Sequence, residues 1–291
     1  MQQTTCNTIF VEEAEILSQQ VFENGQFILR VQAPKCAKTA QAGQFAHLQC
    51  DPQRLMRRPL SIMRVSVKEG WVEFLYKTVG EGTQLLSQRN VGDTLSMMGP
   101  IGQPFTLDTK RPKALLLGGG VGIPPMVCLS ETISQQHPTI QPLVFMGSEI
   151  PFPFKRTVSN MPVKGLSADV SDGFPLLESW AIPSRLASMQ GFEGVYQGYI
   201  TDLARDWLNA LSDKEQNQVS VYACGPTPML KAVAALAKEF DLPCQVSLEE
   251  YMACAVGGCA GCVVKVTTDQ GEAMKRVCVD GPVFDATTVF D

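Results

Sequence analysis

Up to about residue 108 the apolar positions fall in short runs of strand formers. The clearest are residues 28–31, 45–48, 72–76 and 94–98, punctuated by Gly43, Gly70, Gly92 and Gly99-Pro100. Many short strands with this punctuation predict an antiparallel β-barrel or sandwich. Only residues 83–89 carry a helical period in this part. From about residue 111 the pattern changes. Lys113-Ala114-Leu115-Leu116-Leu117 is a continuous apolar run, the mark of a strand buried on both faces. A glycine loop and a helix with Pro near its start follow it. Residues 142–147 and 219–224 read as further strands, and 201–211 and 228–240 as helices. Strands alternating with helices predict a doubly wound α/β unit. Residues 151–181 hold several prolines and little periodicity, which predicts a long excursion, with 182–188 returning to the sheet.

Composition narrows the function classes. The net charge is −5 with no long basic run, so no nucleic-acid partner is expected. Met1 to Cys6 lacks a basic region followed by an apolar core, and no run is long enough to span a membrane, so neither a signal peptide nor a membrane segment is expected. Ten cysteines without a secretory signal suit a reducing cytoplasm, where thiols serve metals. Cys6, Cys36, Cys50, Cys128 and Cys244 have no partner spacing and read as small apolar residues.

The densest chemistry lies near the end. Cys254, Cys259 and Cys262 are spaced C-x4-C-x2-C, and Cys278 follows after fifteen residues. The first three match a plant-type [2Fe–2S] spacing, with the fourth thiolate from a neighbouring strand. Gly257, Gly258 and Gly261 let backbone N–H groups approach the sulfurs. Structural zinc and a disulfide pair are the other readings; zinc usually takes paired CxxC motifs or His, and only two histidines, His47 and His137, occur here.

Three weaker motifs precede it. Arg57-Arg58-Pro59-Leu60-Ser61-Ile62 offers a guanidinium for a pyrophosphate and a hydroxyl for a ring system. Gly80-Glu81-Gly82-Thr83 offers N–H groups and a hydroxyl at a helix start. Gly118-Gly119-Gly120-Val121-Gly122, between strand and helix, is a phosphate-binding arrangement, although Pro124 breaks the strict G-x-G-x-x-G fingerprint. Gly99-Pro100-Ile101-Gly102 reads as a structural turn. Cys224, at a strand end before Gly225-Pro226, is either a site residue or a buried thiol.

The order of these parts resembles the ferredoxin–NADP reductase superfamily, and within it the electron-transfer subunits of two-subunit dihydroorotate dehydrogenases. The likeness covers nearly the whole chain. It implies an FAD-binding antiparallel β-barrel at 1–108, a doubly wound NAD-binding α/β domain at 109–247, and a small β-rich [2Fe–2S] domain at 248–291. Arg58 would contact the FAD pyrophosphate, Pro59, Leu60 and Ser61 would lie along the isoalloxazine, and Gly80, Gly82 and Thr83 would form the second FAD phosphate loop. Gly118, Gly119, Gly120 and Gly122 would hold the NAD pyrophosphate, with Cys224, Gly225 and Pro226 beside the nicotinamide. Cys254, Cys259, Cys262 and Cys278 would be the cluster ligands. Ser61 and Cys224 would orient the hydride step rather than act as nucleophiles.

The resemblance also implies an FMN-bearing catalytic partner that oxidises dihydroorotate to orotate, in a heterotetramer. Three departures stand out. The family's Gly-Pro-Leu-Gly-Asn-Gly-Phe turn reads Gly-Pro-Ile-Gly-Gln-Pro-Phe, ending at Phe105. The stretch 155–180 is longer than usual. Ala187-Ser188-Met189-Gln190 stands where NADP-specific relatives carry Ser-Arg, which favours NAD. Two rival readings remain: the same relay serving a hydrogenase or sulfur-reducing partner, and a non-enzymatic iron–sulfur redox module. Ferredoxin:NADP oxidoreductase subunits tend to carry Asp at the first ligand position, where Cys254 stands.

Overall fold

A computed structural model describes residues 8–290; Cys6 and the leader reading at Met1 to Cys6 fall outside the described residues. Six strands close an antiparallel barrel: β1 (Phe10–Phe22), β2 (Gln26–Gln32), β3 (Phe45–Leu48), β4 (Arg58–Ser66), β5 (Trp71–Lys77) and β6 (Thr94–Ile101), in the order β1-β2-β5-β4-β3-β6. Two short helices, α1 (Pro34–Thr39) and α2 (Glu81–Ser87), lie in its connections. Strand β1 does not stand out in the sequence, because Glu12, Glu13, Glu15 and three other polar residues dilute it. Only Ala14 and Ile16 point into the barrel core, and the strand is held by pairing with both β2 and β6. Residues 99–101 are not a turn. Gly99 pairs with Phe10 and Ile101 with Phe45, so β6 runs through them and the chain turns at Gly102, with φ +94°.

The second unit contains β7 (Lys113–Gly119), α3 (Ile123–Gln136), β8 (Gln141–Gly147), β9 (Thr157–Val158), β10 (Asp172–Gly173), α4 (Pro175–Ser179), β11 (Ser184–Ser188), β12 (Tyr196–Gln197), α5 (Ile200–Asn209), α6 (Asp213–Gln216), β13 (Val219–Cys224), α7 (Thr227–Glu239) and β14 (Cys244–Ser247). The tail adds β15 (Val263–Thr268), β16 (Gly271–Arg276), β17 (Val283–Asp285) and α8 (Ala286–Val289). The main sheet runs β12-β11-β8-β7-β13-β14-β17, parallel except for β17. Alternate residues of β7 explain its continuous apolar run. Leu116 packs with Met126 and Val127 of α3 on one face, and Leu115 and Leu117 pack with the α5 and α7 residues Leu203 and Leu230 on the other. Helix α3 also lies against β4 of the barrel, so the two units share a core.

The excursion between β8 and β11 has its own fastenings. The Arg185 side chain, 5 % exposed, donates to the carbonyls of Val170 (2.8 Å), Met161 (2.6 Å) and Ser184 (2.7 Å). Phe154 stacks on Phe174, Arg156 pairs with Asp172, and Gln26 of β2 reaches the Pro151 carbonyl at 2.7 Å. A cross-unit clasp completes the joint: Arg64 pairs with Glu131 of α3 and lies over Trp71 of the barrel and Trp180 of the excursion. Its guanidinium holds the Glu131 carboxylate in a crowded place whose burial raises that group's pKa. The residues whose composition hid any pattern thus follow a route set by one buried arginine and an aromatic cluster.

β17 lies within the expected 248–291 unit but extends the edge of the main sheet beside β14. The tail is also tied to the barrel. Gln103 N–H donates to the Gly281 carbonyl at 2.6 Å and Gln103 Nε2 to that of Val279 at 3.1 Å. Gln103 is where this chain departs from the family's turn, and here it anchors the tail.

Candidate functional site

Arg58 opens β4 and Gly82 is the second residue of α2, in its first turn, and the fold brings them together. A methyl group at Gly82 would fall 2.7 Å from Arg58 Nε and 2.8 Å from Cζ, so glycine is what lets the guanidinium lie over the helix start. Arg58 Nη1 donates to the Met56 carbonyl at 2.7 Å, which aims the side chain. Its neighbour Arg57 is structural: it donates to the Ser96 carbonyl (2.6 Å) and hydroxyl (3.0 Å), tying β4 to β6. The Thr83 hydroxyl donates to the Gly80 carbonyl and accepts from the Val79 and Gly80 N–H groups, so it shapes the loop from within. A Cβ at Gly80 meets nothing within 4 Å, which leaves that side of the loop open. A planar cation over a helix start with room beside it fits a pyrophosphate.

Strand alternation separates the next residues. Leu60 is 9 % exposed and packs with the barrel core, opposite Ala46. Pro59 and Ser61 face the other way, opposite His47 and Phe45, and keep open surface.

The glycine loop after β7 is built by close approach. A Cβ at Gly122 would sit 2.3 Å from the Cys224 carbonyl oxygen, and one at Gly119 would sit 2.3 Å from Met229 Sδ. Gly120 differs: its φ is +56° and nothing lies within 4 Å, so it borders the open space in front of the α3 N-terminus. The Cys224 thiol is fully buried. Burial, and then the Glu249 carboxylate 4.0 Å away, push it well above the usual thiol range, so it is a neutral group and no nucleophile. Gly225 and Pro226 follow it into α7, with Met229 packed under Gly225.

Glu249 is a residue the sequence did not single out. The residue is exposed at the surface, and desolvation of its carboxyl near the Cys224 thiol pushes the pKa up to about 7. Its only signal in the sequence is an acidic pair, Glu249-Glu250, five residues before the first cluster cysteine. At the end of β11, Met189 is 54 % exposed and Gln190 donates to the Glu149 carbonyl, so the position of the NADP-type arginine holds an uncharged side chain.

All nine described cysteines are free thiols. In the tail they form two pairs, Cys254 beside Cys259 and Cys262 beside Cys278. Among the described residues, no three metal-ligating side chains close on one point, as they would around a single ion. Burial opposes ionisation of Cys254. Hydrogen bonds from the N–H groups of Val256, Cys259 and Gly258 and from the Cys259 thiol outweigh it and hold the pKa down at about 7. Burial, and then the neighbouring Cys262 thiol, push Cys278 up to about 12. The Gly261 N–H approaches Cys259 Sγ at 3.4 Å. Ala255, Gly257 and Ala260 take positive φ, which turns successive N–H groups inward, and Arg276 clamps the loop through the Gly257 carbonyl at 3.2 Å. Two thiol pairs, inward N–H groups and two buried sulfurs fit a two-iron cluster with two thiolates per iron.

A flavin barrel, a dinucleotide loop and a four-cysteine loop in one fold define an iron–sulfur flavoprotein reductase of the ferredoxin–NADP reductase type. Residues 9–105 match the oxidoreductase FAD-binding domain, and residues 249–290 match the iron–sulfur cluster binding domain of dihydroorotate dehydrogenase B. The chain is 33% identical to the dihydroorotate dehydrogenase B (NAD(+)) electron transfer subunit of Desulforamulus reducens, over 96% of this chain and 98% of that one. It is 35% identical to that of Caldanaerobacter subterraneus subsp. tengcongensis, over 87% and 88%. It belongs to the family of dihydroorotate dehydrogenase B electron transfer subunits. Among solved structures, one of an NADH-dependent reduced ferredoxin-NADP oxidoreductase superposes with a TM-score of 0.76 at 26% identity, covering 96% of this chain and 90% of that one. The cytochrome b5 reductase domain of Ulva prolifera nitrate reductase shares the fold, with a TM-score of 0.58 at 16% identity over 80% and 94%.

Proposed function

We propose that the chain relays electrons among NAD, FAD, a [2Fe–2S] cluster and the FMN of a catalytic partner that oxidises dihydroorotate to orotate, a step of pyrimidine biosynthesis. The observation that carries this reading is the seat of the tail: the cysteine loop is fastened to the same barrel that bears Arg58 and Ser61, through Gln103 and the apolar packing of Phe45 and Ile101 with Met252 and Cys278.

The chain's own residues divide the work. Arg58 holds pyrophosphate charge over α2. Gly120 leaves the approach to α3 open for the dinucleotide, and Met189 withholds a partner from a 2′-phosphate, which favours NAD. Cys224 and Ser61 orient the reacting rings. Glu249, with its raised pKa, is placed to hold a proton beside Cys224 near neutral pH. Cys254, Cys259, Cys262 and Cys278 ligate the cluster, and Met252 and Val277 keep water from the buried pair. When bound, FAD exchanges a hydride with nicotinamide and single electrons with the cluster. Residues 1–108, 109–247 and 248–291 are the units for the three groups.

Among the described residues no helix is long and apolar enough to cross a membrane. The working form on this reading is a cytoplasmic heterotetramer of two copies of each subunit. Cys254 favours it over the ferredoxin:NADP relay, in which Asp tends to stand first. An anaerobic pull-down of the chain from its own cell extract tests it. An FMN-bearing partner and dihydroorotate-dependent NAD reduction are expected; a different redox partner without that activity would move the relay to another enzyme.

A further inference from the structure

His47 is one of two histidines in the chain and its side chain is 0 % exposed. Neither ring nitrogen is in hydrogen-bonding geometry. Buried polar atoms are nearly always satisfied, so an imidazole stranded where a leucine would fill the space needs a reason.

Its position supplies one. On β3, His47 stands opposite Pro59, and Phe45 stands opposite Ser61. Directly opposed residues share a sheet face, so these four lie on one outer face of the barrel. The tail packs on that face, with Phe45 in one apolar group with Met252, Cys262 and Cys278. The backbone carbonyls of Arg57 and Met252 come near the His47 ring without reaching hydrogen-bond geometry. The first leads into the flavin strand; the second precedes Cys254 by two residues. Burial, and then the Arg57 charge, lower the ring's pKa to about 4 and keep it neutral. A neutral imidazole has one N–H, which can turn toward only one of these carbonyls at a time and here donates to neither.

We propose that His47 is the positioning residue of the flavin–cluster junction: its buried ring, set between the Arg57 carbonyl of the flavin strand and the Met252 carbonyl of the cluster loop, fixes how the two redox groups face each other and thereby sets the rate of electron exchange between them. This rests on the relay proposed above. The step it governs would move one electron at a time and no heavy atom; the electron pair of one hydride would pass in two transfers, the cluster held by the four cysteines exchanging each electron with the partner's FMN before the next. An apolar side chain would keep the volume but remove the polar ring edge that lies between the two carbonyls, and the junction would relax.

The test uses the purified full chain with FAD and cluster, reduced anaerobically by NADH in a stopped-flow instrument, with EPR of the reduced cluster. In His47→Leu the flavin should bleach at the wild-type rate, while cluster reduction slows about tenfold or more, as small misplacements of reacting groups do. His47→Gln, which keeps an amide donor, should restore most of that rate. Unchanged cluster reduction in His47→Leu, or equal slowing of both phases, would overturn the proposal. A wild-type chain without FAD, or with no cluster EPR signal, would instead sink the relay itself. A measurement that needs no variant guards against misfolding. With [15N]histidine in the wild-type chain, the ring signals of His47 should broaden when the cluster is reduced and those of His137 should not; sharp His47 signals would count against the junction.

Discussion

The loop at Gly118 to Gly122 and the loop at Cys254 to Cys262 are both glycine-bearing turns suited to a charged group, and they are held by opposite means. The first is pressed into shape by its surroundings: Cys224 backbone lies under Gly122 and the Met229 thioether under Gly119. The second is packed beneath Gly257, against Val279 and Arg276, but open at its tip. Gly258 has nothing within 4 Å of a Cβ, Cys259 is exposed, and the loop's order comes from N–H···S contacts and the Arg276 clamp. A dinucleotide binds and leaves, so its loop must exist without it. A cluster stays, so its ligands fix the loop as they bind. The comparison predicts that the first loop breaks through packing and the second through loss of ligands.

The largest effect should come from Cys259→Ser. Iron content should fall to near zero with the cluster's visible absorbance, while NADH still bleaches the flavin; retained iron would refute the ligand role. Next is Gly122→Ala. The obstacle is backbone, so over-packing should cost about 3 kcal/mol, read as a lower denaturation midpoint together with lost NADH oxidation. A chain of wild-type stability would remove the packing account of that loop.

Acid should act through His47, at the seat of the second loop. Its pKa is lowered to about 4 by burial and then by the Arg57 charge. The unfolded chain therefore binds the extra proton first, and His47 contributes stability that is present above the ordinary pKa of about 6.5 and lost as pH falls toward 4. The loss should reach on the order of 3 kcal/mol by pH 4. It is seen as the stability difference between wild type and His47→Leu, followed over that window; a flat difference would contradict it.

Arg58→Ala should weaken FAD retention by about 1.5–3 kcal/mol, the worth of a charged hydrogen bond. Equilibrium dialysis of the flavin measures it, and unchanged flavin content would dismiss Arg58 as the pyrophosphate ligand. The smallest change is Gly120→Ala. Its Cβ meets nothing, so only the left-handed backbone is strained, by about 1–2 kcal/mol. NADH affinity should fall while FAD and iron stay in place. A large loss of stability there would erase the contrast with Gly122.

The strong local signals survived contact with the structure for a physical reason. The Lys113 to Leu117 run is apolar because both faces of β7 are covered, and the cysteine spacing is short enough for one loop to set Cys254 beside Cys259. The weak ones concerned residues whose role depends on distant chain. β1 is too polar to read as a strand until β2 and β6 pair with it. Residues 99–101 look like a turn until strands on both sides recruit them. Glu249 carries no motif, because its meaning comes from the thiol at the end of β13, 25 residues back in the chain.

The sequence alone determined the kinds of chemistry present: thiolates at cluster spacing, a guanidinium before a rigid proline, glycines between strand and helix. Those follow from local covalent geometry and from what each side chain can bind. Tertiary structure decided which of them meet. It laid Arg58 over Gly82, set Cys224 against Gly122 and Glu249, turned Leu60 into the core and Ser61 out of it, and seated the cysteine loop on the barrel in one apolar group with Phe45. Such meetings depend on strand register and on which face of a sheet is covered, and these are settled by packing between segments far apart in the chain.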